Sequence, residues 1–333
     1  MSLLYVNESD ASIGISENRC KVKYKDGMTT EVPIETLESI TILGHAQMTT
    51  QAMQTCLQRG IPVAFFSKGG RYFGRLQSTS HVNAERQRLQ CLLYEDPFSI
   101  ELSRIIIEAK INNQIVMLRR YNRSTGIPVG NFLNTMLQCK KKVRNAGSIE
   151  EIMGYEGYAA RAYFEGLAEV IDPEFKFKGR SKQPPLDEFN SMISLGYSIL
   201  MNVLYSSIEA KGLNPYFGFM HKDREKHPTL ASDLMEEWRA VIVDSVALSL
   251  VNGHEIHKED FYFDMETPGC FLTRNGLKIF LGKMENKLST KAKYLPNVDY
   301  SVSFRYGIAL QIDSLIKAME AHDARLYKPI EIR

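Results

Sequence analysis

The sequence predicts an α+β fold, in which a small N-terminal β-rich domain is followed by a larger all-α C-terminal domain. The first residues, up to about 80, form short segments rich in β-branched and aromatic residues, separated by turn residues. From about residue 83, long segments carry apolar residues at helical spacing. A chain of 333 residues exceeds the usual length of one hydrophobic core. We therefore expect a β-rich domain at 1–82, a linker at 83–100 and a helical domain at 101–333.

Seven short strands and one helix are expected in the N-terminal domain. The Asp26-Gly27 pair follows an alternating segment and predicts a hairpin-type turn. Segment 49–60 is amphipathic and predicts a helix that a threonine caps and Gly60 ends. The predicted strands are LLYV (3–6), SIGIS (12–16), CKVKYKDG (20–27), TTEVPI (29–34), SITILG (39–44), IPVAFF (61–66) and RYFGRL (71–76).

The C-terminal domain contains long helical segments and one long loop. Pro97, after Asp96, begins a helix that continues to about residue 121, and segment 190–210 has the same helical spacing. Segment 172–188 contains three prolines and a run of basic residues. Because proline breaks a continuous helix, this segment is expected to form an exposed basic loop.

Composition and missing motifs exclude several classes of protein. Hydrophobic residues make up 44% and charged residues 24%, as in an ordinary globular protein. No segment offers about 18 uncharged apolar residues, and the start does not look like a signal peptide. Five dispersed cysteines without a CxxC pair argue against disulfides and zinc. The sequence also lacks HExxH, GxxxxGK[ST], GxSxG and GxGxxG motifs. We expect a cytoplasmic protein without a membrane partner.

Basic residues are concentrated in the middle of the chain. The net charge is only +2, but residues 104–182 contain 14 Lys and Arg against 8 Asp and Glu, a surplus of 14 − 8 = +6. Such a surplus can neutralise phosphates, although a solvated basic face is an equally ordinary interpretation.

Glu156 stands out because of its position on a predicted helix over 153–171. At 100° per residue it lies in line with Tyr163 and Leu167, whereas Glu165 and Glu169 point to solvent. A carboxylate on an apolar face must be desolvated, paired or bound to a cation.

A second group of acids lies on a helix predicted over 229–251, which is apolar around most of its circumference. Helical geometry places Asp233, Glu237 and Asp244 within about 40° of one another, with Glu236 about 60° to the other side. Paired carboxylates repel unless a cation or a proton lies between them. The geometry alone does not choose between Glu236 and Glu237.

His221 precedes this helix in the apolar segment GFMH. A lone histidine in such company is usually a satisfied core residue, but the nearby carboxylates also allow a metal site. One imidazole with several carboxylates favours Mg²⁺ or Mn²⁺ over zinc. By contrast His227, His254 and His257 lie in polar segments and are expected at the surface.

The chain resembles the metal-dependent integrase family of CRISPR adaptation, the larger of the two universal adaptation proteins. The likeness extends from about residue 3 to about residue 320 and includes the β-rich segments. Its strongest pieces are GYEGYAARAYF (154–164), PLDEFNSMISLGYSIL (185–200), NPYFGFMH (214–221) and LASDLMEEWRAVIVD (230–244).

The resemblance implies a site and a cofactor. It gives Glu156, His221 and Glu236 as catalytic metal ligands for Mg²⁺ or Mn²⁺, and its DLME pattern selects Glu236 over Glu237. Asp233 would be a supporting acid, and Asn190 and Tyr197 match polar positions near the site.

The resemblance also implies an activity and partners in a prokaryotic cytoplasm. The α-helical domain would be catalytic, inserting short foreign DNA fragments into a CRISPR array by attack of a 3′-hydroxyl on a repeat phosphodiester. Partners would be double-stranded DNA, a second copy joined through the β-rich domain, and the smaller adaptation protein. Two alternatives remain: a Mg²⁺- or Mn²⁺-dependent phosphodiesterase acting on branched or repair DNA, and a non-catalytic DNA-binding scaffold.

The basic surplus then predicts a surface that contacts the DNA backbone without reading sequence. The expected DNA-binding residues are Arg119, Arg120, Arg123, Lys140, Lys141, Lys142, Lys176, Lys178, Arg180 and Lys182.

Overall fold

A computed structural model describes residues 2–79, 81–264, 268–293 and 298–332 of the chain. It divides into two compact units, Met1–Val82 and Asn83–Arg333. The α+β class is confirmed, because strands dominate the first unit and helices the second. The linker expected at 83–100 is instead helical and belongs to the second unit. The polar composition that suggested a linker reflects an exposed helix surface.

The first unit contains two four-stranded sheets and one helix. One sheet has the strand order β1-β5-β7-β8 and the other β4-β3-β2-β6. Buried residues from both sheets, including Ile13, Ile40 and Val63, form one hydrophobic cluster. The strands are β1 (Ser2–Val6), β2 (Ser12–Ser16), β3 (Arg19–Lys23), β4 (Thr29–Pro33), β5 (Leu37–Leu43), β6 (Gln47–Met48), β7 (Val63–Phe66) and β8 (Tyr72–Leu76).

The helix α1 (Thr50–Arg59) forms where the sequence predicted it. The side chain of Thr49 accepts a hydrogen bond from the backbone N–H of Ala52 at 3.2 Å. Gly60 ends the helix with φ of 66°, a left-handed conformation that glycine adopts without a steric cost.

The second unit is mostly helical and also contains two short antiparallel strand pairs, which the sequence did not predict. These are β9 (Phe261–Phe263) with β10 (Cys270–Leu272), and β11 (Lys291–Ala292) with β12 (Val302–Ser303). The helices are α2 (Ala84–Tyr94), α3 (Pro97–Thr125), α4 (Gly130–Arg144), α5 (Ile149–Val170), α6 (Glu188–Ala210), α7 (Thr229–Met235), α8 (Ser245–Asn252), α9 (Arg274–Ser289) and α10 (Phe304–Glu320).

The helix predicted over 229–251 is not continuous. Helix α7 ends at Met235, residues Arg239–Asp244 form a π-helix, and α8 follows. A π-helix closes i to i+5 hydrogen bonds and is frequent at functional sites. Because Asp244 lies in this π-helix, the angular position predicted for it relative to the acids near α7 from 3.6 residues per turn does not hold.

The loop over 172–188 is irregular but not wholly exposed. Phe175 and Phe177 are buried, and the ring of Phe177 stacks on that of Phe189 with centroids 4.7 Å apart. These two aromatic residues anchor the loop, while other residues of it, including Lys178 and Lys182, are exposed.

Helix α6 is long and apolar enough to cross a membrane by length and composition alone. However, 56% of its apolar window is buried inside the fold. Such partial burial is typical of a core helix, and this helix belongs to the second unit.

Candidate active site

A buried lysine joins the two helical segments that carry the predicted ligands. The ammonium of Lys110, on α3, lies 2.5 Å from an oxygen of Glu236 and also forms an ion pair with Glu156. Its side chain is only 7% exposed. Burial opposes charge on Lys110, but the carboxylates of Glu156 and Glu236 outweigh burial and raise its pKa. The apolar face expected to bury Glu156 is therefore occupied by an ion pair.

His221 completes this group of side chains. Its Nε2 lies 3.9 Å from an oxygen of Glu236, and the imidazole is 24% exposed. Thus Glu156 from α5, His221 from the loop before α7, and Glu236 from the end of α7 converge on one location.

Asp233 holds the imidazole in place. Its Oδ1 lies 2.6 Å from Nδ1 of His221, and the carboxylate also accepts the backbone N–H groups of Phe219, Met220 and His221 at 2.7 to 3.1 Å. Because a carboxylate accepts hydrogen bonds, Nδ1 carries a proton, and Nε2 lies on the side of Glu236. Burial would lower the pKa of His221, but Asp233 outweighs burial and raises it.

The loop around His221 depends on Gly218 for its close approach to Asp233. A Cβ at Gly218 would lie 2.7 Å from Oδ2 of Asp233 and 2.8 Å from the backbone of Thr229. Gln90 on α2 fixes the start of the same loop, since its amide bonds the backbone of Asn214 and Phe217. Only a glycine lets the backbone reach the aspartate here.

Arg239, at the start of the π-helix, supplies a second cation to Glu236. Its Nε and a terminal nitrogen each lie 3.1 Å from an oxygen of that carboxylate. Burial alone would raise the pKa of Glu236, but the positive charges of Arg239, Lys110 and His221 overcome it and lower the pKa to about 2. Glu236 is therefore ionised although it is buried.

Tyr197 lies between two guanidinium groups. Arg239 is 4.7 Å and Arg180 5.4 Å from its ring centroid. The Tyr197 hydroxyl donates to Asp244 at 2.5 Å, and Tyr163 donates to the other oxygen of Asp244 at 2.9 Å. Burial raises the pKa of Asp244 to about 6, although both tyrosine hydroxyls oppose the rise.

Asn190 positions Arg180 and the loop that carries it. Its carbonyl accepts from Arg180 at 2.9 Å and from the backbone of Ser181 at 3.1 Å, while its NH₂ donates to Gly179 and Asp187. Arg180 also donates to Ser194 at 3.0 Å. Asn190 is thus a structural support of the site, consistent with its predicted position nearby.

Glu237 points away from this centre. It accepts from the hydroxyl of Tyr327 at 2.5 Å and from the backbone of Ile330 at 2.7 Å. Burial raises its pKa to about 8 against these hydrogen bonds. In contrast, Glu236, which the helical angles had placed to one side, faces Lys110 and His221.

The donor types of this group are those of a divalent-ion site, but in this structure the two carboxylates surround an ammonium. Within the described ranges, no three His, Cys, Asp or Glu side chains are arranged closely enough to hold a metal; the Lys110 ammonium lies between Glu156 and Glu236. Two carboxylates and one imidazole whose other nitrogen is held by Asp233 are the ligand chemistry that Mn²⁺ and Mg²⁺ accept.

Lys110 and Arg239 were missed by sequence reasoning. The sequence did contain an indication for Lys110, because helical spacing places it on the same face of α3 as the buried residues Ile106, Ile107 and Met117. A lone lysine on such a face needs acidic partners. The sequence contained no such indication for Arg239, since its orientation depends on the π-helix.

The ten basic residues predicted to bind DNA do not form one exposed set. Lys140 is half-buried and donates to Asn112 at 2.9 Å. Arg180 is turned inward beside Tyr197, contrary to its expected place on the surface. The remaining eight are exposed: Arg119, Arg120, Arg123, Lys141, Lys142, Lys176, Lys178 and Lys182.

The histidines and acids assigned to the surface behave mostly as expected. His254, His257, Glu165 and Glu169 are exposed. His227 is only partly exposed, and its Nε2 lies 2.9 Å from the hydroxyl of Ser232. Because the sequence neighbours of His227 are polar, the sequence did not predict its partial burial.

Comparison with known proteins matches residues 4–286 to the family described as CRISPR associated protein Cas1. The chain belongs to the Cas1 family. A CRISPR-associated endonuclease Cas1 of Mycobacterium tuberculosis (strain CDC 1551) is 37% identical over 328 residues, which cover 98% of this chain and 96% of that protein.

Two solved structures extend the Cas1 likeness to the fold. A Cas6-RT-Cas1–Cas2 complex superposes with a TM-score of 0.87 at 25% identity, covering 100% of this chain and 36% of that one. A casposase bound to integration product gives a TM-score of 0.85 at 21% identity, covering 97% and 92% of the two chains. The second similarity concerns the fold alone.

Proposed function

We propose that this chain is a metal-dependent DNA endonuclease and integrase that inserts short foreign DNA fragments into a CRISPR array. The main support is that Glu156 and Glu236 both pair with the buried ammonium of Lys110 while Nε2 of His221 lies 3.9 Å from Glu236. Membership of the Cas1 family supports the nuclease and integrase class, as does the name endonuclease carried by the Mycobacterium tuberculosis relative.

Glu156, His221 and Glu236 would hold Mg²⁺ or Mn²⁺. When bound, such an ion lowers the pKa of an attacking hydroxyl and neutralises charge on a phosphorane-like transition state. Asp233 orients the imidazole, and Arg239 adds a fixed positive charge beside Glu236. These side chains are held by buried hydrogen bonds, so the site is largely preorganised.

The proposed reaction exchanges one phosphodiester for another. The oxygen of a DNA 3′-hydroxyl forms a new bond to phosphorus, and the bond from phosphorus to the 3′-oxygen of the repeat breaks. The expelled 3′-oxygen ends with the proton that the attacking hydroxyl gives up. Because one ester replaces another, no nucleoside triphosphate is needed, in keeping with the missing GxxxxGK[ST] motif.

The eight exposed basic residues named above are proposed to contact the DNA backbone. Arg119 and Arg123 lie near the end of α3, and Lys141 lies on α4. Replacing them is expected to weaken binding of duplexes of any sequence and to lower the salt dependence of the affinity by about one unit per phosphate contact. Unchanged affinity and salt slope would count against this surface.

Two protein partners are proposed. A second copy would pair through the β-rich unit, where edge strand β8 exposes Phe73 by 64%. The smaller adaptation protein is supported by the solved complex whose name includes Cas2. Sedimentation of the chain alone and with that protein tests both.

The decisive experiment uses a branched DNA that mimics a half-completed integration, incubated with Mn²⁺. Wild type is expected to rejoin the strand as well as cut it, whereas Glu156→Ala and His221→Ala do neither. Glu165→Ala, on the exposed face of the same helix as Glu156, is the matched control and should keep full activity.

Other outcomes have definite meanings. Cutting without rejoining would favour the alternative, a Mg²⁺- or Mn²⁺-dependent phosphodiesterase acting on branched or repair DNA, because water can replace the hydroxyl as nucleophile at the same site. Equal activity in wild type and both site variants would refute the proposed ligands.

A further inference from the structure

Glu236 lies in a turn between two helical segments. Residues 236–238 connect α7, which ends at Met235, to the π-helix, which begins at Arg239. A residue inside a regular helix is held by the backbone hydrogen bonds of that helix, whereas the position of a turn depends more on contacts with other elements. The contacts around this turn therefore decide where the carboxylate of Glu236 is held.

Asn113 on α3 bonds this turn to a distant part of the chain. It lies three residues after Lys110, on the same side of α3, and is fully buried. Its Nδ2 donates to the carbonyl of Glu237 at 3.0 Å and to that of Ile330 at 2.8 Å, and its Oδ1 accepts from the backbone N–H of Ile332 at 2.9 Å. One amide therefore joins three parts of the chain that are far apart in sequence.

Residues 327–332, which we call the strap, also bind the turn directly. The hydroxyl of Tyr327 donates to one oxygen of Glu237 at 2.5 Å, and the backbone N–H of Ile330 donates to the other at 2.7 Å. Tyr327 and Ile330 are both buried. Together, Asn113 and the strap bond the backbone carbonyl and both side-chain oxygens of Glu237.

Gln311 on α10 holds the end of the same turn. Its Oε1 accepts from the indole N–H of Trp238 at 2.7 Å, and its Nε2 donates to the hydroxyl of Tyr327 at 2.8 Å. Gln311 and Trp238 are both fully buried. The turn is thus bonded to α3, to α10 and to the strap.

These hydrogen bonds specify a geometry more than they add stability. Each replaces a bond that the unfolded chain makes with water, so its net contribution to stability is small. A buried polar network whose members are all bonded makes the fold rigid and favours one arrangement. Glu236 needs such precision, because its carboxylate meets Lys110 from α3 and His221 from the loop before α7.

We propose that Asn113 is a positioning residue of the active site, which sets the position of Glu236 relative to Lys110 by bonding both the turn and the strap. The inference rests on the proposed integrase function and extends it to a residue outside the proposed metal ligands. Glu237→Gln leaves this arrangement in place, because its amide oxygen can still accept from Ile330 and Asn113 bonds the backbone of residue 237.

The test compares Asn113→Ala with Ile332→Pro, which removes from the strap the backbone N–H that Asn113 accepts. Both are measured in the full chain, at a temperature at which circular dichroism shows every variant to be folded. A misplacement of about 1 Å can cost roughly 100-fold in rate, so kcat for strand joining should decrease by about that factor in Asn113→Ala, with KM for DNA unchanged. Ile332→Pro should lower kcat in the same way. The double variant should lose less than the product of the two single losses, because both break the same connection.

Trp238 provides a measurement that does not depend on activity. It is the only tryptophan in the sequence, and it lies in the turn beside Glu237. Without metal, its fluorescence emission should shift to longer wavelength in both variants, because a loosened turn admits water to the buried indole. Calorimetric titration should show that both variants bind Mn²⁺ at least tenfold more weakly, as expected when the support of a ligand is lost.

Asn252→Ala is the matched control. Asn252 on α8 also joins backbone groups from a distant part of the chain, because it accepts from Asp172 at 2.9 Å and donates to the carbonyl of Val170 at 3.2 Å. Val170 ends α5, about 21 Å along that helix from Glu156. Asn252→Ala is therefore expected to lose stability while its kcat, Mn²⁺ affinity and Trp238 emission stay at wild-type values.

The outcomes separate this proposal from the proposed function. If wild type did not join strands, the proposed function would be refuted, while Trp238 emission and Mn²⁺ affinity would still decide the role of Asn113. Unchanged emission and Mn²⁺ affinity in both Asn113→Ala and Ile332→Pro would overturn the positioning role. An equal change in Asn252→Ala would overturn it as well, because the effect would then follow from general destabilisation.

Discussion

The ammonium of Lys110 lies 2.5 Å from Glu236 and also contacts Glu156, so one buried cation joins two proposed metal ligands. Together with Arg239 it balances the charge of Glu236, which explains how that carboxylate can remain buried and ionised without a metal. The same arrangement means that a divalent ion must compete with Lys110 for these oxygens. The first prediction follows from that competition.

Lys110→Met is expected to lower stability without metal and to increase the stabilisation that Mn²⁺ provides. Removing one partner of a buried ion pair costs about 3–5 kcal/mol, because the carboxylates are left uncompensated. Thermal unfolding with and without Mn²⁺ measures both effects. Lys211→Met, which breaks the ion pair with Asp313 elsewhere, should leave the response to Mn²⁺ unchanged. If Lys110→Met responded to Mn²⁺ no more than wild type, the competition would be disproved.

Glu236→Gln and Glu237→Gln form a matched pair of neighbouring substitutions. Glu236→Gln should abolish both strand joining and the stabilisation by Mn²⁺, because a ligand charge is lost. Glu237→Gln should keep both, since Glu237 bonds Tyr327 and the backbone of Ile330 instead. Joining assays and Mn²⁺ titrations distinguish the two. The reverse pattern would show that the wrong glutamate has been assigned.

Asp233→Asn should weaken Mn²⁺ binding by roughly 10- to 100-fold, the usual effect of losing a group that orients a ligand. An amide retains only one acceptor oxygen, so it cannot serve His221 and the backbone N–H groups of Phe219 and Met220 together. Calorimetric titration with Mn²⁺ provides the measurement. Asp323→Asn, at the capping position of the 3-10 helix Ala324–Leu326, is the control. If Asp233→Asn bound Mn²⁺ with the same affinity as wild type, the proposed supporting role of Asp233 would be contradicted.

Asp244→Asn should change how stability depends on pH. The pKa of Asp244 rises from 3.8 to about 6 on folding, so its contribution is complete below pH 3.8 and is lost as pH increases through 6. The variant should therefore gain stability relative to wild type over this interval, by at most roughly 3 kcal/mol.

Denaturant unfolding between pH 4 and pH 7 tests the Asp244 prediction. Asp223→Asn, on the exposed loop after His221, should give a curve parallel to that of wild type. A curve for Asp244→Asn that also ran parallel to wild type would contradict the prediction.

Much of the architecture was readable from local patterns. The turn residues, the threonine cap and Gly60 predicted the strands and α1, because these signals act within a few residues. The long helices followed from apolar spacing. The prediction of a linker at 83–100 was wrong because a polar surface helix such as α2 has the same composition as an irregular segment between domains.

The sequence indicated only some of the residues of the site and few of their contacts. By itself the sequence determined that Glu156 and His221 lie among apolar residues and therefore need partners, and its motifs pointed to one family. Only the tertiary structure decided that Lys110 is the partner, that Glu236 turns toward it while Glu237 turns to Tyr327, and that Arg180 faces inward. Periodicity describes one regular helix, whereas these outcomes depend on the end of α7 at Met235 and on contacts between residues as far apart as 110 and 236.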